Sequence, residues 1–208
     1  MSHSGTQATH PPIFRKNIMK TKLFMLTLAM SCTFAGSAMA TTKVEYKAEK
    51  ERISGDYKVA KDKCRSLKAN AKDICMSEAK GVDKIALAEA EAAYKPTARN
   101  TEKVGMAKAN AMYDTAKEKC DDISGNAKDV CVKDAKVAYT KAKDDAKIAK
   151  VSADTSNSRS DKMADVKKDA KDDERKAMYK AAAERCDALA GAPKDTCMSD
   201  AKVKFGMK

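Results

Sequence analysis

The chain has 208 residues, a net charge of +12 from 42 Lys and Arg against 30 Asp and Glu, and a mean hydropathy of −0.61. It has no tryptophan, and three of its four phenylalanines and both histidines (His3 and His10) fall within the first 40 residues. From residue 41 onward the chain therefore lacks the means for a thick aromatic core and for imidazole-based acid/base or metal chemistry.

Residues 1–18 stand in front of a better initiator, Met19, and read as a disordered leader or a mis-assigned start. Residues 19–40, MKTKLFMLTLAMSCTFAGSAMA, have the parts of a secretory signal peptide. Lys20 and Lys22 give the basic start, Leu23 to Gly36 the apolar run, and Ala38-Met39-Ala40 the small-residue cleavage site, with Thr41 as the first mature residue. The apolar run is too short for a membrane span, which needs about 20 residues, and no later segment is apolar enough to be one. Cys32 lies inside the run, but Ala29-Met30-Ser31 lacks the Leu or Val of a lipobox, so soluble export to the periplasm or outside is expected rather than lipidation. Removing residues 1–40 takes away Arg15, Lys16, Lys20 and Lys22 and no acid, which lowers the net charge from +12 to +8.

Three segments of the mature chain align without gaps: YKVAKDKCRSLKANAKDICMSEAK from Tyr57, YDTAKEKCDDISGNAKDVCVKDAK from Tyr113 and YKAAAERCDALAGAPKDTCMSDAK from Tyr179. Each places ten residues between two cysteines: Cys64 and Cys75, Cys120 and Cys131, Cys186 and Cys197. An even number of cysteines in an exported chain reads as a disulfide set. On an unbroken helix residues eleven apart are separated by about 16 Å of rise, whereas a disulfide needs Cα atoms about 4.4–6.8 Å apart. A bridge within each pair thus requires a turn; the alternative is a continuous helix bridged between units or between molecules.

The residues between the cysteines supply the turn. Ala69, Gly125 and Gly191 occupy the place of a left-handed helix stop. Asn70, Asn126 and Ala192 follow at the N-cap place, then Ala71, Ala127 and Pro193 at the first helical position. Asp73, Asp129 and Asp195 fall in the first turn, where a negative charge suits the helix dipole. An apolar stripe leads into the turn, Ile53, Tyr57, Ala60, Cys64 and Leu67 in the first unit and Met106, Ala109, Tyr113, Ala116, Cys120 and Ile123 in the second. Ala60 with Ala79, Ala116 with Ala135 and Ala182 with Ala201 are small enough to let the two arms approach.

The expected fold is all-α: three antiparallel helical hairpins, each stapled by a C-x10-C disulfide. Residues 41–95 form hairpin 1, 96–151 hairpin 2, 152–160 a polar linker and 161–208 hairpin 3. The arms are expected over 44–68, 71–94, 100–124, 127–150, 161–190 and 193–205, with Pro96 breaking the chain between the first two hairpins and Gly55 a place where the first arm can kink. Mixed-sign runs such as KAKDDAKIAK suit solvated helix faces.

These residues do not point to an enzyme. No Gly-rich phosphate loop or nucleophile motif is present, no catalytic residue, cofactor or metal ligand is assigned, and the cysteines lack C-x-x-C spacing. Tyr57, Tyr113 and Tyr179 recur at one position and read as packing residues. The interspersed charges carry no Arg/aromatic cluster, so no nucleic-acid partner is expected.

Runs such as AKDDAKIAK and DAKDDERKAMYKAAAE resemble, in composition, the central helical region of TolA and the exported Ala/Lys-rich proteobacterial proteins labelled TolA-like cell-envelope proteins. The paired cysteines resemble those of twin-cysteine helical hairpins, although this chain has one cysteine per helix and those have two. The TolA resemblance implies an envelope location and carries over no binding residue. Together with export it leads to an expected structural spacer or interaction scaffold, its partner an envelope protein. The positive charge leads to an alternative, binding of an anionic lipid or polysaccharide such as lipopolysaccharide, and the cysteines to a third, thiol redox or metal buffering.

Overall fold

The computed structural model describes residues 41–208, so the expected leader, the expected signal segment and the expected cleavage residues Ala38 and Ala40 lie outside the described residues. These residues form six α-helices and no strand: α1 (Lys43–Arg65), α2 (Ala69–Tyr94), α3 (Ala98–Cys120), α4 (Gly125–Ser152), α5 (Arg159–Cys186) and α6 (Ala192–Phe205). Alanine, lysine and glutamate carry the helices by propensity, and polar residues set several of the ends. Thr42 opens α1 with a reciprocal capping box, its Oγ1 accepting from the Glu45 N–H while the Glu45 carboxylate accepts from the Thr42 N–H at 2.7 Å. Thr97 caps α3 directly after Pro96, and Gly206 closes α6 in the left-handed conformation.

All three disulfides form within their own units. Cys64–Cys75, Cys120–Cys131 and Cys186–Cys197 hold their Cα atoms 5.5, 5.7 and 5.7 Å apart. Each therefore clips a tight αα turn, and the straight-helix alternative fails on geometry.

The turn itself differs from the sequence expectation in two ways. The first arms stop at Arg65, Cys120 and Cys186, not at Lys68, Ser124 and Ala190. Their last turns close through three-residue bonds, from the Leu67 N–H to the Cys64 carbonyl and likewise from Ile123 to Cys120 and Leu189 to Cys186. Leu67 and Ile123 consequently leave the expected apolar stripe and stand 40 % and 44 % exposed. The left-handed residues, Ala69 (φ 47°), Gly125 (62°) and Gly191 (60°), directly open the second arms instead of closing the first. Asn70 and Asn126 consequently lie inside α2 and α4, whose N-cap residues Lys68 and Ser124 make no side-chain capping bond.

Each helix packs on its neighbours in sequence and on no other among the described residues, every pair running antiparallel. The three hairpins are thus joined side by side through α2–α3 and α4–α5 into one continuous array. Small residues make the seams: a Cβ placed on Gly81 would lie 2.7 Å from the Ala111 Cβ, and one on Gly105 would lie 2.5 Å from the Ala146 Cβ. The buried apolar side chains are accordingly Ile53, the first cysteine of each pair and alanines, among them Ala79, Ala109, Ala146, Ala170, Ala181 and Ala201. Ala60, Ala116, Ala135 and Ala182 are half-buried. At the open end of the first hairpin Tyr46 stacks on Tyr94, ring centroids 4.7 Å apart. α1 runs through Gly55 without interruption. No helix among the described residues is long and apolar enough to cross a membrane.

Candidate functional site

The repeat sets up the same place twice, where the second arm of one unit meets the first arm of the next. At the first junction the Asn70 side-chain amide donates to the Glu118 carbonyl at 2.7 Å and to the Asp122 carboxylate at 2.8 Å. At the second, the Asn126 amide donates to the Glu184 carbonyl at 2.9 Å. Both acceptors stand two residues before the first cysteine of the next unit, in the last turn of a helix, where each carbonyl also accepts from the C-cap N–H, that of Asp121 or Asp187, at 3.1 Å. The asparagines that the sequence offers as N-caps therefore serve the following hairpin instead. An ion pair repeats beside them: Glu78 with Lys119 at 3.2 Å, and Asp134 with Arg185, whose guanidinium reaches both carboxylate oxygens at 2.6 and 2.7 Å.

Next to each of these contacts lies a shallow groove, and the two differ in charge. The first, about 600 Å³, is lined by Tyr57, Met76 and Ser77, with Lys80 and Lys117 set against Asp73, Asp114 and Glu118. The second, about 450 Å³, runs over α4 between Tyr113 of α3 and the facing side of α5. It carries Lys133, Lys136, Lys143, Lys176 and Lys180 against the single carboxylate of Asp173. Counted from the cysteines, Lys133 stands where the first groove has Ser77, and Lys180 where it has Asp114. The repeat therefore fixes the groove's position while substitution makes the second one basic.

Helical spacing builds the basic groove. Lys133, Lys136, Thr140 and Lys143 follow one another at three, four and three residues along one face of α4, and Lys176 and Lys180 lie a turn apart on α5. The Lys136 ammonium sits 4.3 Å from the Tyr139 ring centroid and 4.9 Å from that of Tyr113, the two rings being 5.0 Å apart. At the rim Lys133 pairs with Glu184 at 3.3 Å.

One turn beyond Thr140 the Asp144 carboxylate is fully buried and accepts from the Lys147 ammonium at 2.7 Å, while its second oxygen has no hydrogen-bond partner. Lys147 also lies 3.8 Å from Asp173, which ties the buried pair to the groove wall. The Asp144 hydrogen bond, with the Asp144, Asp173 and Asp169 charges, holds Lys147 above the usual lysine range against the opposing effect of burial. Nothing in the local pattern signals this pair, because Asp144 sits in KAKDDAKIAK, which reads as a solvated face.

Of the tyrosines that recur in the repeat, Tyr57 and Tyr113 each line one of the grooves and Tyr179 is half-buried. All six cysteines of the described residues are in disulfides, which fits maturation in an oxidising compartment. Among the described residues no group of three or more His, Cys, Asp or Glu side chains is gathered as a metal site. Chemically, the basic groove offers several ammonium donors and the Tyr113 ring to an anionic group, in a depression open to solvent.

Compared with known proteins, the chain matches no family model, no curated protein and no solved structure. Fold and groove define a class: a disulfide-stapled α-helical repeat array that carries a basic groove.

Proposed function

We propose that the protein is a non-enzymatic exported array that acts as a spacer or interaction scaffold in the cell envelope, in the periplasm or outside the cell. The observation that carries this reading is the covalent and polar fixing of every turn and junction: three disulfides within hairpins and an asparagine amide between hairpins. An array held in this way keeps surface features at set distances, as a spacer must. The compositional resemblance to TolA-like proteins and the signal-like residues 19–40 support the envelope setting. Affinity capture from periplasm, combined with permeability assays on a deletion strain, tests it. Recovery of a defined envelope partner together with weakened integrity is expected; no partner and an intact envelope would refute it.

A second reading, binding of lipopolysaccharide or acidic phospholipid, is favoured by the lysine groove between the second and third units. Co-sedimentation with acidic vesicles, at low and high salt, tests it. Salt-sensitive binding that falls in a Lys143→Glu/Lys176→Glu variant is expected, and binding that this variant leaves unchanged removes the reading.

A further inference from the structure

Among the described residues, the repeat leaves two helix faces without the partner that their equivalents have inside the array. The face of α1 corresponding to the α2-contacting face of α3 presents Gly55, Val59 and Lys63, all exposed. The face of α6 corresponding to the α3-contacting face of α2 presents Ser199, Asp200 and Val203, also exposed. We propose that these two faces pair between copies of the chain, head to tail, as a third version of the internal junction.

Each position of the internal junctions has its counterpart at the ends. The acid three residues past the second cysteine, Glu78 or Asp134, pairs with the base just before the next unit's first cysteine, Lys119 or Arg185. At the free ends those positions hold Asp200 and Lys63, and neither has an ion-pair partner among the described residues. Six residues past the second cysteine stands Gly81, which touches Ala111, nine residues before the next first cysteine. The free counterparts are Val203, 79 % exposed, and Gly55, with nothing within 4 Å of a Cβ built upon it. A small residue on one side thus meets a valine on the other, the same pairing that the count from the cysteines gives Val137 and Ala177 at the second internal junction. Val59, 56 % exposed, takes the place of Thr115, whose hydroxyl meets that of Ser77 at 3.2 Å inside the array.

Two features make this junction weaker than the internal ones. Ala192 occupies the place of Asn70 and Asn126, so no side-chain amide reaches the neighbouring helix end. α6 has 14 residues against 26 in α2 and 28 in α4, so it covers only part of the opposing helix. Because the surfaces differ, the contact is heterologous and repeats along a line instead of closing a symmetric dimer. The proposal stands on the repeat geometry and needs nothing of the envelope or groove readings.

Sedimentation velocity of the oxidised protein over a concentration series reaching about 1 mM tests it, a range suited to a small interface. The expected result is an average mass that rises with concentration through dimer and beyond. Lys63→Glu and Asp200→Lys each place like charges opposite one another and raise the apparent dissociation constant about five- to tenfold, while the double variant restores association. Both residues are exposed, so the circular dichroism of all three variants stays that of the parent. A mass that stays monomeric throughout, association unmoved by either single reversal, or a double variant no better than the singles overturns the proposal.

Discussion

Asp144 and Lys147 form the one ion pair in which a carboxylate is wholly withdrawn from water among the described residues, at 2.7 Å and one helical turn apart on α4. The pair is unequal, since the lysine side chain keeps 35 % of its exposure while the aspartate keeps almost none. Removing the lysine leaves a desolvated negative charge with Asp173 as its neighbour, whereas removing the aspartate leaves a lysine that water and Asp173 can still serve. Lys147→Ala is therefore expected to cost on the order of 2 kcal/mol, less than a fully buried pair because of the lysine's exposure, and Asp144→Ala less than about 1 kcal/mol. Urea midpoints of the two variants decide it; equal losses would mean the asymmetry has no energetic consequence. With the lysine held above its ordinary 10.5, the lysine's contribution is complete below that pH and disappears as pH rises through the raised value.

Gly105 and Gly55 are both helical, yet alanine should act oppositely at each. At Gly105 the added methyl would lie 2.5 Å from the Ala146 Cβ and 3.0 Å from its Cα, so α3 and α4 must separate, at about 1–3 kcal/mol. At Gly55 the methyl meets nothing, and the gain in helix propensity stabilises the chain by about 0.5–1 kcal/mol. Thermal melts of Gly105→Ala and Gly55→Ala should move in opposite directions from the parent.

Ala69 holds a left-handed conformation, φ 47°, at the place where the other two units use glycine. A Cβ is penalised there and glycine is not, so Ala69→Gly should stabilise the protein by about 0.5–1 kcal/mol. The test is chemical denaturation; a destabilised variant would show that the positive-φ penalty is not felt at this turn.

The three disulfides should differ in importance although their loops are equal in length. Opening one by a double Cys→Ser change costs about 3 kcal/mol of loop-closure entropy. In the Cys120/Cys131 variant α3 and α4 each keep an outer neighbour, α2 and α5. In the Cys186/Cys197 variant α6 keeps only α5 and has 14 residues with which to hold it. Hydrogen exchange over residues 192–205 should therefore accelerate markedly in the latter, while residues 98–152 stay protected in the former. Equal protection losses at both sites would contradict this order.

The linker between α4 and α5 carries its own pH dependence. Asp154 accepts from the Lys162 ammonium at 2.9 Å and from the Ser156 N–H at 2.9 Å, and these bonds, the lysine first, lower its carboxyl from 3.8 to about 2. Since the folded value is the depressed one, the contribution is present above the ordinary value and is lost as pH falls toward about 2. Carbon-detected NMR titration should show the Asp154 carboxyl still ionised below its ordinary 3.8 and protonating only toward about 2, and Asp154→Asn should loosen residues 154–162 without disturbing the hairpins.

Cysteine spacing, the turn residues and the Ala/Lys/Glu background sufficed to determine six helices, three hairpins and three local disulfides, because each follows from interactions a few residues apart along the chain. The same local logic misplaced the helix ends by three or four residues in each first arm and gave Asn70 and Asn126 the wrong partner. Their carbonyl acceptors lie 48 and 58 residues further on, and no rule of local capping reaches that far. The close approach at Gly81 and Gly105, the burial of Asp144 and the gathering of five lysines over one groove likewise arose only when hairpins were laid side by side. A mixed-charge helix looks equally solvated on every face until a neighbour covers one of them, and the side-chain packing of α2 on α3 and of α4 on α5 made that choice.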